Sequence, residues 1–416
     1  QIAMSTQNFN YAVSTPQFRQ TNAYYHAIRL IALYRELGFD LNTFVNNRID
    51  THCEAPSNAY FNSAQNRVCL GYVDLSPRRY AADDSDVMIH ELNHGINRVL
   101  SNNDTLISGA ELEALDEATS DFWSNMLNNS PDLAPYYGRA IYLKMYNGLV
   151  DEPLRTAAGN PAPEYPLSLV HEVHTDGVII TSALWAMYQA LPSGQLDNFK
   201  KAVARAMQNL ASRDGFKEWV YYLMQEAGSL GVDTNVIQSK LMDYGLHRTD
   251  DLNQLSLPSS GAVQVIDQPI SGFTTIGNCN NVFEATEENI VVLNLKNTGP
   301  ALGKVEVKIT SVDAGVLVLP GGDVGSYLRF GANKEFIQSL PNMGDKTDLS
   351  NFRYGAIVAS AFALKIMSAG TYNIQVRLSS FSSITGVKQT RDLTVPITVA
   401  AASSVKTCTA SQNAWP

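Results

Sequence analysis

Histidine is scarce in this chain, with 7 in 416 residues, and two of the seven stand four apart in His90-Glu91-Leu92-Asn93-His94. On a helix that spacing stacks both imidazoles on one face, one turn apart, where they can hold one Zn2+. Glu91 then lies beside the metal and can take a proton from its water. The bland alternative is a helix that carries surface or core histidines.

Zinc needs a third protein ligand and an open position for water. The next helical stretch offers Glu111, Glu113 and Glu117, within which runs Asp116-Glu117-Ala118-Thr119-Ser120-Asp121. Glu117 and Asp121 are one turn apart, so Glu117 can reach the metal. Asp121 can then accept a hydrogen bond from the far N–H of a ligand histidine and set its tautomer. Glu113 shares that face as a rival ligand. For Glu111 and Glu113 a solvated helix face is the preferred reading. A further candidate is His174 in Val173-His174-Thr175-Asp176-Gly177, which leads into a helix. Peptide hydrolysis builds negative charge on the carbonyl oxygen, and a donor placed opposite the nucleophile stabilises it. His174 suits that role; His171 reads as a bystander.

The elements that must position these residues follow from periodicity. Residues 21–37 carry a helical period, with Tyr24, Ala27, Ile28, Ile31 and Tyr34 on one face and Gly38 as a stop. Residues 56–75 read as extended chain with turns. Helical signals cover 86–100, 110–128, 176–191, 196–212, 215–227 and 234–244. A composition shift at 248–261 reads as a linker. Beyond it the period becomes two. Val305, Val307 and Ile309 alternate with polar residues, as do Tyr372, Ile374, Val376 and Leu378, and then Leu393, Val395, Ile397 and Val399. This predicts a C-terminal β-sandwich over 262–416. The domain expectation is therefore 1–85 as an N-terminal part, 86–250 as a helical metal-binding subdomain and 262–416 as the sandwich.

Composition narrows the function classes. Hydrophobic residues make up 45% and charged residues 17%, enough apolar content to bury real cores and to exclude a mainly disordered chain. The net charge of −10 and the lack of a basic stripe disfavour nucleic acid. No run approaches the roughly 18–20 apolar residues of a membrane span, so a soluble chain is expected. The chain opens at Gln1 without an n-region or h-region and reads as trimmed. Cys53 and Cys69 lie close together, and Cys279 and Cys408 bracket the C-terminal third. Two local disulfides, Cys53–Cys69 and Cys279–Cys408, in an oxidising compartment are preferred to free buried thiols. The first would stiffen the loop that holds Asn58-Ala59.

Residues 21–247 resemble a gluzincin metallopeptidase of the thermolysin and fungalysin type. His90 to Arg98 is similar to the fungalysin zinc helix, and Glu117-Ala118-Thr119-Ser120-Asp121 resembles the E-x-x-S-D segment. Val173-His174-Thr175-Asp176-Gly177, followed by Ala183-Leu184-Trp185, is similar to the V-H-x-x-G…L-W segment. Asn58-Ala59-Tyr60-Phe61 resembles the substrate-binding edge strand, and Leu154-Arg155 with Asn160-Pro161 resembles the segment whose arginine meets the substrate carbonyl. The resemblance implies a multidomain α+β chain. Its peptidase part would be a short mixed N-terminal region and a mainly helical subdomain. It implies His90, His94 and Glu117 as zinc ligands and Glu91 as general base, then proton donor to the leaving amine. His174 would bind the oxyanion and Asp121 would orient His90. Asp116 would sit near His94, where thermolysin-like enzymes usually have Asn. Asn58, the Ala59 backbone and Arg155 would hold the peptide as an added strand. Val87 and Leu154 would line the pocket for an apolar residue on the amine side of the scissile bond. Asp86 and Asp132 match calcium positions, whereas an expected Glu is Asn128.

Two departures stand out. Between Gly95 and Asp116 there is no Tyr to act as a second oxyanion donor, and the segment before residue 21 is short. The reading is thus a secreted zinc endopeptidase with peptide or protein substrates. Its sandwich would be an accessory module for a surface, glycan or protein. Tyr327, Phe330, Phe352 and Tyr354 there are read as core rather than a ligand platform. The rival from another class is an inactive peptidase scaffold used for binding or adhesion. An exopeptidase would need a charged cap on the cleft, and no such motif is evident.

Overall fold

The computed structural model describes residues 10–41, 44, 48–101, 110–147, 152–170, 172–211, 214–257, 259, 262–266, 280, 282–293, 295–318, 326–330, 335–336 and 361–403. The chain divides into two units. One comprises residues 1–164 and 168–247; the other comprises 165–167 and 248–416.

The first unit begins with α1 (Pro16–Glu36), earlier than the periodicity predicts. Thr15 caps it and Pro16 occupies its first turn, where a missing N–H costs nothing. Its buried stripe is Ala23, His26, Ala27, Leu30 and Tyr34, whereas Tyr24 and Ile28 face outward. The buried face is thus rotated from the predicted one, with Ala27 and Tyr34 common to both. Strands β1 (Arg48–Asp50), β2 (Ala59–Asn62) and β3 (Arg67–Leu70) form a sheet in the order β1-β3-β2. The β2 strand is an edge, antiparallel to β3 with Tyr60 opposite Cys69. The Cys53–Cys69 disulfide ties the turn after β1 to β3 beneath that edge, with Cα atoms 5.3 Å apart. Two short strands follow, β4 (Tyr72–Val73) and β5 (Arg79–Tyr80), paired antiparallel.

Helix α2 (Ser85–Leu100) carries the paired histidines. Asp84 caps it by accepting from Asp86 N–H at 3.0 Å, and Asp86 sits in the first turn, where the helix dipole favours a negative charge. Asp84 also accepts from Tyr137 N–H at 3.0 Å. The helix is buried around most of its circumference, with Met88, Ile89, Leu92 and Ile96 sealed. It packs on α1 and on α3 (Ala110–Asn128). Tyr34 Oη donates to Asn93 Oδ1 at 2.7 Å, and Asn93 Nδ2 donates to Ser120 Oγ at 3.3 Å, so a buried polar chain locks α1, α2 and α3 in register. Strand β6 (Asp132–Leu133) pairs with β7 (Arg155–Thr156), and α4 (Pro135–Tyr146) lies between them. The periodicity does not predict α4; Pro135 at its start is the signal that marks it. Helix α5 (Val173–Ala190) starts three residues before the predicted boundary because Glu172 caps it. Helices α6 (Leu196–Gln208), α7 (Phe216–Ser229) and α8 (Thr234–Asp243) complete the unit. Glu111 is not on a solvated face: it is buried, and its Oε2 accepts from Phe216 N–H at 3.0 Å at the start of α7.

In the second unit every pairing between named strands is antiparallel. Short strands β8 (Leu255–Ser256), β11 (Leu295–Asn297) and β15 (Glu335–Phe336) form one sheet, in the order β15-β11-β8. Strands β9 (Val263–Ile266), β10 (Glu288–Leu293), β13 (Val316–Val318) and β16 (Ala361–Ile366) run β13-β16-β10-β9. Strands β12 (Leu302–Val312), β14 (Ser326–Phe330), β17 (Gly370–Phe381) and β18 (Lys388–Val399) run β14-β12-β17-β18. Alternation is plain in the β17–β18 pair, where Ile374, Val376 and Leu378 and then Val395, Ile397 and Val399 point into one core with Leu364 and Ile366. Pro396 is tolerated because β18 is an edge. Cys279 and Cys408, and Phe352 and Tyr354, lie outside the described residues, as do the side chains of Tyr327 and Phe330. Among the described residues no helix is long and apolar enough to cross a membrane.

One close approach determines where α5 can lie. A Cβ built on Gly177 would stand 2.9 Å from the Ala114 carbonyl oxygen and 3.4 Å from Glu117 Cβ. Gly177→Ala would gain about 1 kcal/mol of helix propensity but lose about 1–3 kcal/mol to overpacking against a backbone atom that cannot rotate away. A lower melting temperature is expected, by about 2–4 °C for each net kcal/mol lost. An unchanged melt would mean that α3 and α5 separate freely.

Candidate metal centre

Four elements converge on one cleft. Helix α2 supplies His90, Glu91 and His94, α3 supplies Asp116, Glu117 and Asp121, the first turn of α5 supplies His174, and β2 supplies the rim. The donor atoms of His90, Glu91 and His94 all lie within 4.8 Å of one another. His90 Nε2 and His94 Nε2 are 3.1 Å apart, with the rings at 89°. Glu117 faces both: Oε2 is 3.2 Å from His90 Nε2, and Oε1 is 3.6 Å from His94 Nε2.

Each imidazole has a carboxylate on its far side. His90 Nδ1 is 2.8 Å from Asp121 Oδ1, and His94 Nδ1 is 2.8 Å from Asp116 Oδ2. A carboxylate only accepts, so each favours a proton on the Nδ1 it faces, and with a metal bound both rings would turn an Nε2 lone pair inward. Two lone pairs and a carboxylate then converge on one point. Glu117 Oε2 is buried and makes no hydrogen bond. This donor set fits a cation. The electrostatics agree. Burial works against charge on His90 and His94, yet Asp121 and Glu117 raise His90 to about 9, and Asp116 and Glu117 raise His94 to about 10. Burial likewise opposes the Glu117 anion, but the two imidazoles hold its carboxyl well below the usual range. Glu91 moves the other way, with burial pushing it up.

Arg155 grips Asp121 with two hydrogen bonds, Nε to Oδ2 at 2.8 Å and Nη2 to Oδ1 at 2.6 Å, and its Nη2 is 3.6 Å from Glu117 Oε2. The expected substrate-binding arginine is therefore also a brace for Asp121. Burial opposes its charge, but Asp121 keeps the guanidinium above its ordinary value. The main cleft measures about 370 Å³ and is bounded by Asn58 to Phe61, the paired histidines, Glu113, Glu117 and His174. A smaller pocket of about 100 Å³ brings Asn58, Ala59, Val87, Leu154 and Arg155 beside Glu91. All five predicted substrate-side residues thus share one wall. The structure adds Tyr137 and Ile141 from α4 to that pocket. No Tyr precedes Asp116 after Gly95; the tyrosines that reach the clefts are Tyr60 and Tyr137. Glu113 lines the main cleft; the donor group among the described residues is His90, Glu91 and His94, and Glu117 joins it through its distances to the two imidazoles.

Strand β2 meets the helix at Gly95, where an added Cβ would strike Phe44 and Phe61 at 2.6 and 2.9 Å. The Asp86 carboxylate accepts from Asn128 Nδ2, from Ser124 Oγ at 3.2 Å and from Ala134 N–H at 3.0 Å. A cation at Asp86 would have to displace these donors. Asp132 opens β6, and its N–H donates to Ser130 Oγ at 3.1 Å.

Sequence reasoning missed Glu172. His174 Nδ1 donates to Glu172 Oε1 at 2.6 Å, and the same carboxylate accepts from Thr175 N–H at 2.9 Å. One side chain thus caps α5 and aims the His174 ring, whose Nε2 lies 3.5 Å from Glu117 Oε1. The signal was available: an acidic residue just before a helix start beside a candidate histidine. Burial raises the Glu172 carboxyl, but its bonds to His174 and Thr175 outweigh that and lower it to about 2. A depressed folded-state value contributes stability above the ordinary carboxylate range, and that contribution is lost as pH falls through about 2. Glu172→Ala should cost about 1 kcal/mol at neutral pH. Urea melts should show the gap from wild type closing as pH falls below about 4.5. A gap independent of pH would remove the charge from this account.

Residues 18–220 match the family model for fungalysin metallopeptidase (M36). No curated protein matches the chain. The matched span contains every side chain that converges on the cleft. Over that span the chain resembles the fungalysin metallopeptidases.

Proposed function

We propose that the chain is a secreted, zinc-dependent endopeptidase of the gluzincin type, whose second unit is a β-sandwich accessory domain. The observation that carries the reading is the inward convergence of His90 Nε2, His94 Nε2 and Glu117 beside the buried carboxyl of Glu91. His90, His94 and Glu117 would hold the zinc. Bound zinc would supply Lewis acidity to the scissile carbonyl and to a water.

The remaining chemistry belongs to the chain. Glu91, lifted from the ordinary carboxylate range by burial, takes the proton of the attacking water and passes it to the leaving amine. His174 donates from Nε2 to the carbonyl oxygen as charge builds there. Glu172, accepting at Nδ1, aims Nε2 of the ring toward that oxygen. Asp121 and Asp116 hold the imidazole tautomers. Asn58 and the Ala59 backbone on the free edge of β2 receive the substrate as an added strand. Val87 and Leu154 give the adjoining pocket an apolar wall, which supports a preference for apolar residues on the amine side of the scissile bond. The Cys53–Cys69 disulfide supports an oxidising, extracellular setting.

Glu91→Gln should keep one zinc per chain, while cleavage of a denatured protein falls by about 10²–10⁴-fold. A chelator should abolish wild-type cleavage, and added zinc should restore it. Peptides blocked at both ends should be cut, which an exopeptidase cannot do. Zinc binding without any cleavage by wild type would sink the enzymatic reading in favour of an inactive scaffold. His174→Ala should lower kcat by about 10²–10³-fold with KM nearly kept; an equal rise in KM would make it a binding residue instead.

A further inference from the structure

The two ligand imidazoles have unequal anchors. The Asp121 side chain on His90 is 2% exposed and braced by Arg155, whereas the Asp116 side chain on His94 is 25% exposed and borders the cleft. Asp116 is nonetheless fixed. Its Oδ2 meets His94 Nδ1 at 2.8 Å, and its Oδ1 accepts from Asn97 Nδ2 at 2.7 Å. Asn97 sits three residues after His94 on α2 and also donates to Thr119 Oγ1 at 2.9 Å. Thr119 in turn donates to the Leu115 carbonyl at 2.8 Å. A carboxylate placed at the end of such a chain is oriented from both sides.

Its charge matters as much as its place. A hydrogen bond to an ionised partner is roughly twice as strong as a neutral one. A carboxylate on Nδ1–H pushes electron density toward Nε2, and a neutral amide does so less. Counting Glu91, Glu113, Asp116, Glu117 and Asp121 against Arg98 and Arg155, the site has five carboxylates for two guanidiniums. That excess suits a dication more than a monocation.

We propose that Asp116 is a charged positioning residue that raises metal affinity through His94, so that this centre is held by two carboxylate-anchored histidines, with Asn97 as the clamp. The inference rests on the metal-site reading above. Its test is zinc affinity, by competition with a chromophoric chelator, for wild type, Asp116→Asn, Asn97→Ala and Asp121→Asn. Asp116→Asn keeps the shape and an acceptor but removes the charge; zinc should bind about 10–100-fold more weakly. Asn97→Ala leaves the charge and frees its carboxylate, with a smaller loss expected. Cobalt in place of zinc should give shifted absorption bands in Asp116→Asn, whatever the change in its metal-free melting temperature. A merely structural role would move the melt and not the bands. Wild-type zinc binding with equal affinity and an unchanged cobalt spectrum in Asp116→Asn overturns this inference alone. If that variant does not fold, unchanged affinity in Asn97→Ala overturns it. A wild type that binds no zinc overturns both the inference and the reading beneath it.

Discussion

Two imidazole nitrogens 3.1 Å apart, each on a ring whose far side faces a carboxylate, look toward each other and toward the Glu117 carboxylate. Such a grouping is costly unless positive charge fills it, whether by protons or by a metal. The first unit is arranged to hold it. Helix α2 supplies the pair, α3 supplies both carboxylate partners and the facing Glu117, and the buried Tyr34–Asn93–Ser120 chain keeps the helices from sliding. A slide by one residue would turn His94 by about 100° away from Glu117.

Close approach is the second requirement. Gly177 lets α5 reach the backbone of α3 beside Glu117, which brings His174 over the same point from the opposite wall. Gly95 lets β2 approach α2, so that edge strand and the imidazoles share one cleft. Neither glycine has a positive φ. Their value here is lost volume, not backbone freedom, and that volume decides where the substrate edge stands relative to the donor atoms.

Charge is apportioned with similar economy. Asp121 serves both His90 and Arg155, and Glu172 serves both the α5 terminus and His174. A buried carboxylate with two partners is better compensated than one with a single partner. Asp86 shows the same principle outside the cleft: it is satisfied by Asn128, Ser124 and a backbone N–H, and so ties α2 to α3 and α4.

Much of this was legible in the chain. The i, i+4 histidines, the one-turn spacing of Glu117 and Asp121, and the period change after the linker rest on local geometry, which a helix or strand imposes on any sequence that adopts it. The outward turn of Tyr24 and Ile28, the burial of Glu111 under α7, helix α4 with Tyr137, and the double duty of Arg155 and Glu172 were not so legible. Each depends on what lies across a contact between elements far apart in sequence, such as the 105 residues between Glu111 and Phe216. The sequence by itself determined which groups could bind a metal and on which elements they ride. Only the tertiary structure decided which carboxylate faces which imidazole, because that is settled by packing volume and buried hydrogen bonds between elements, not by spacing within one.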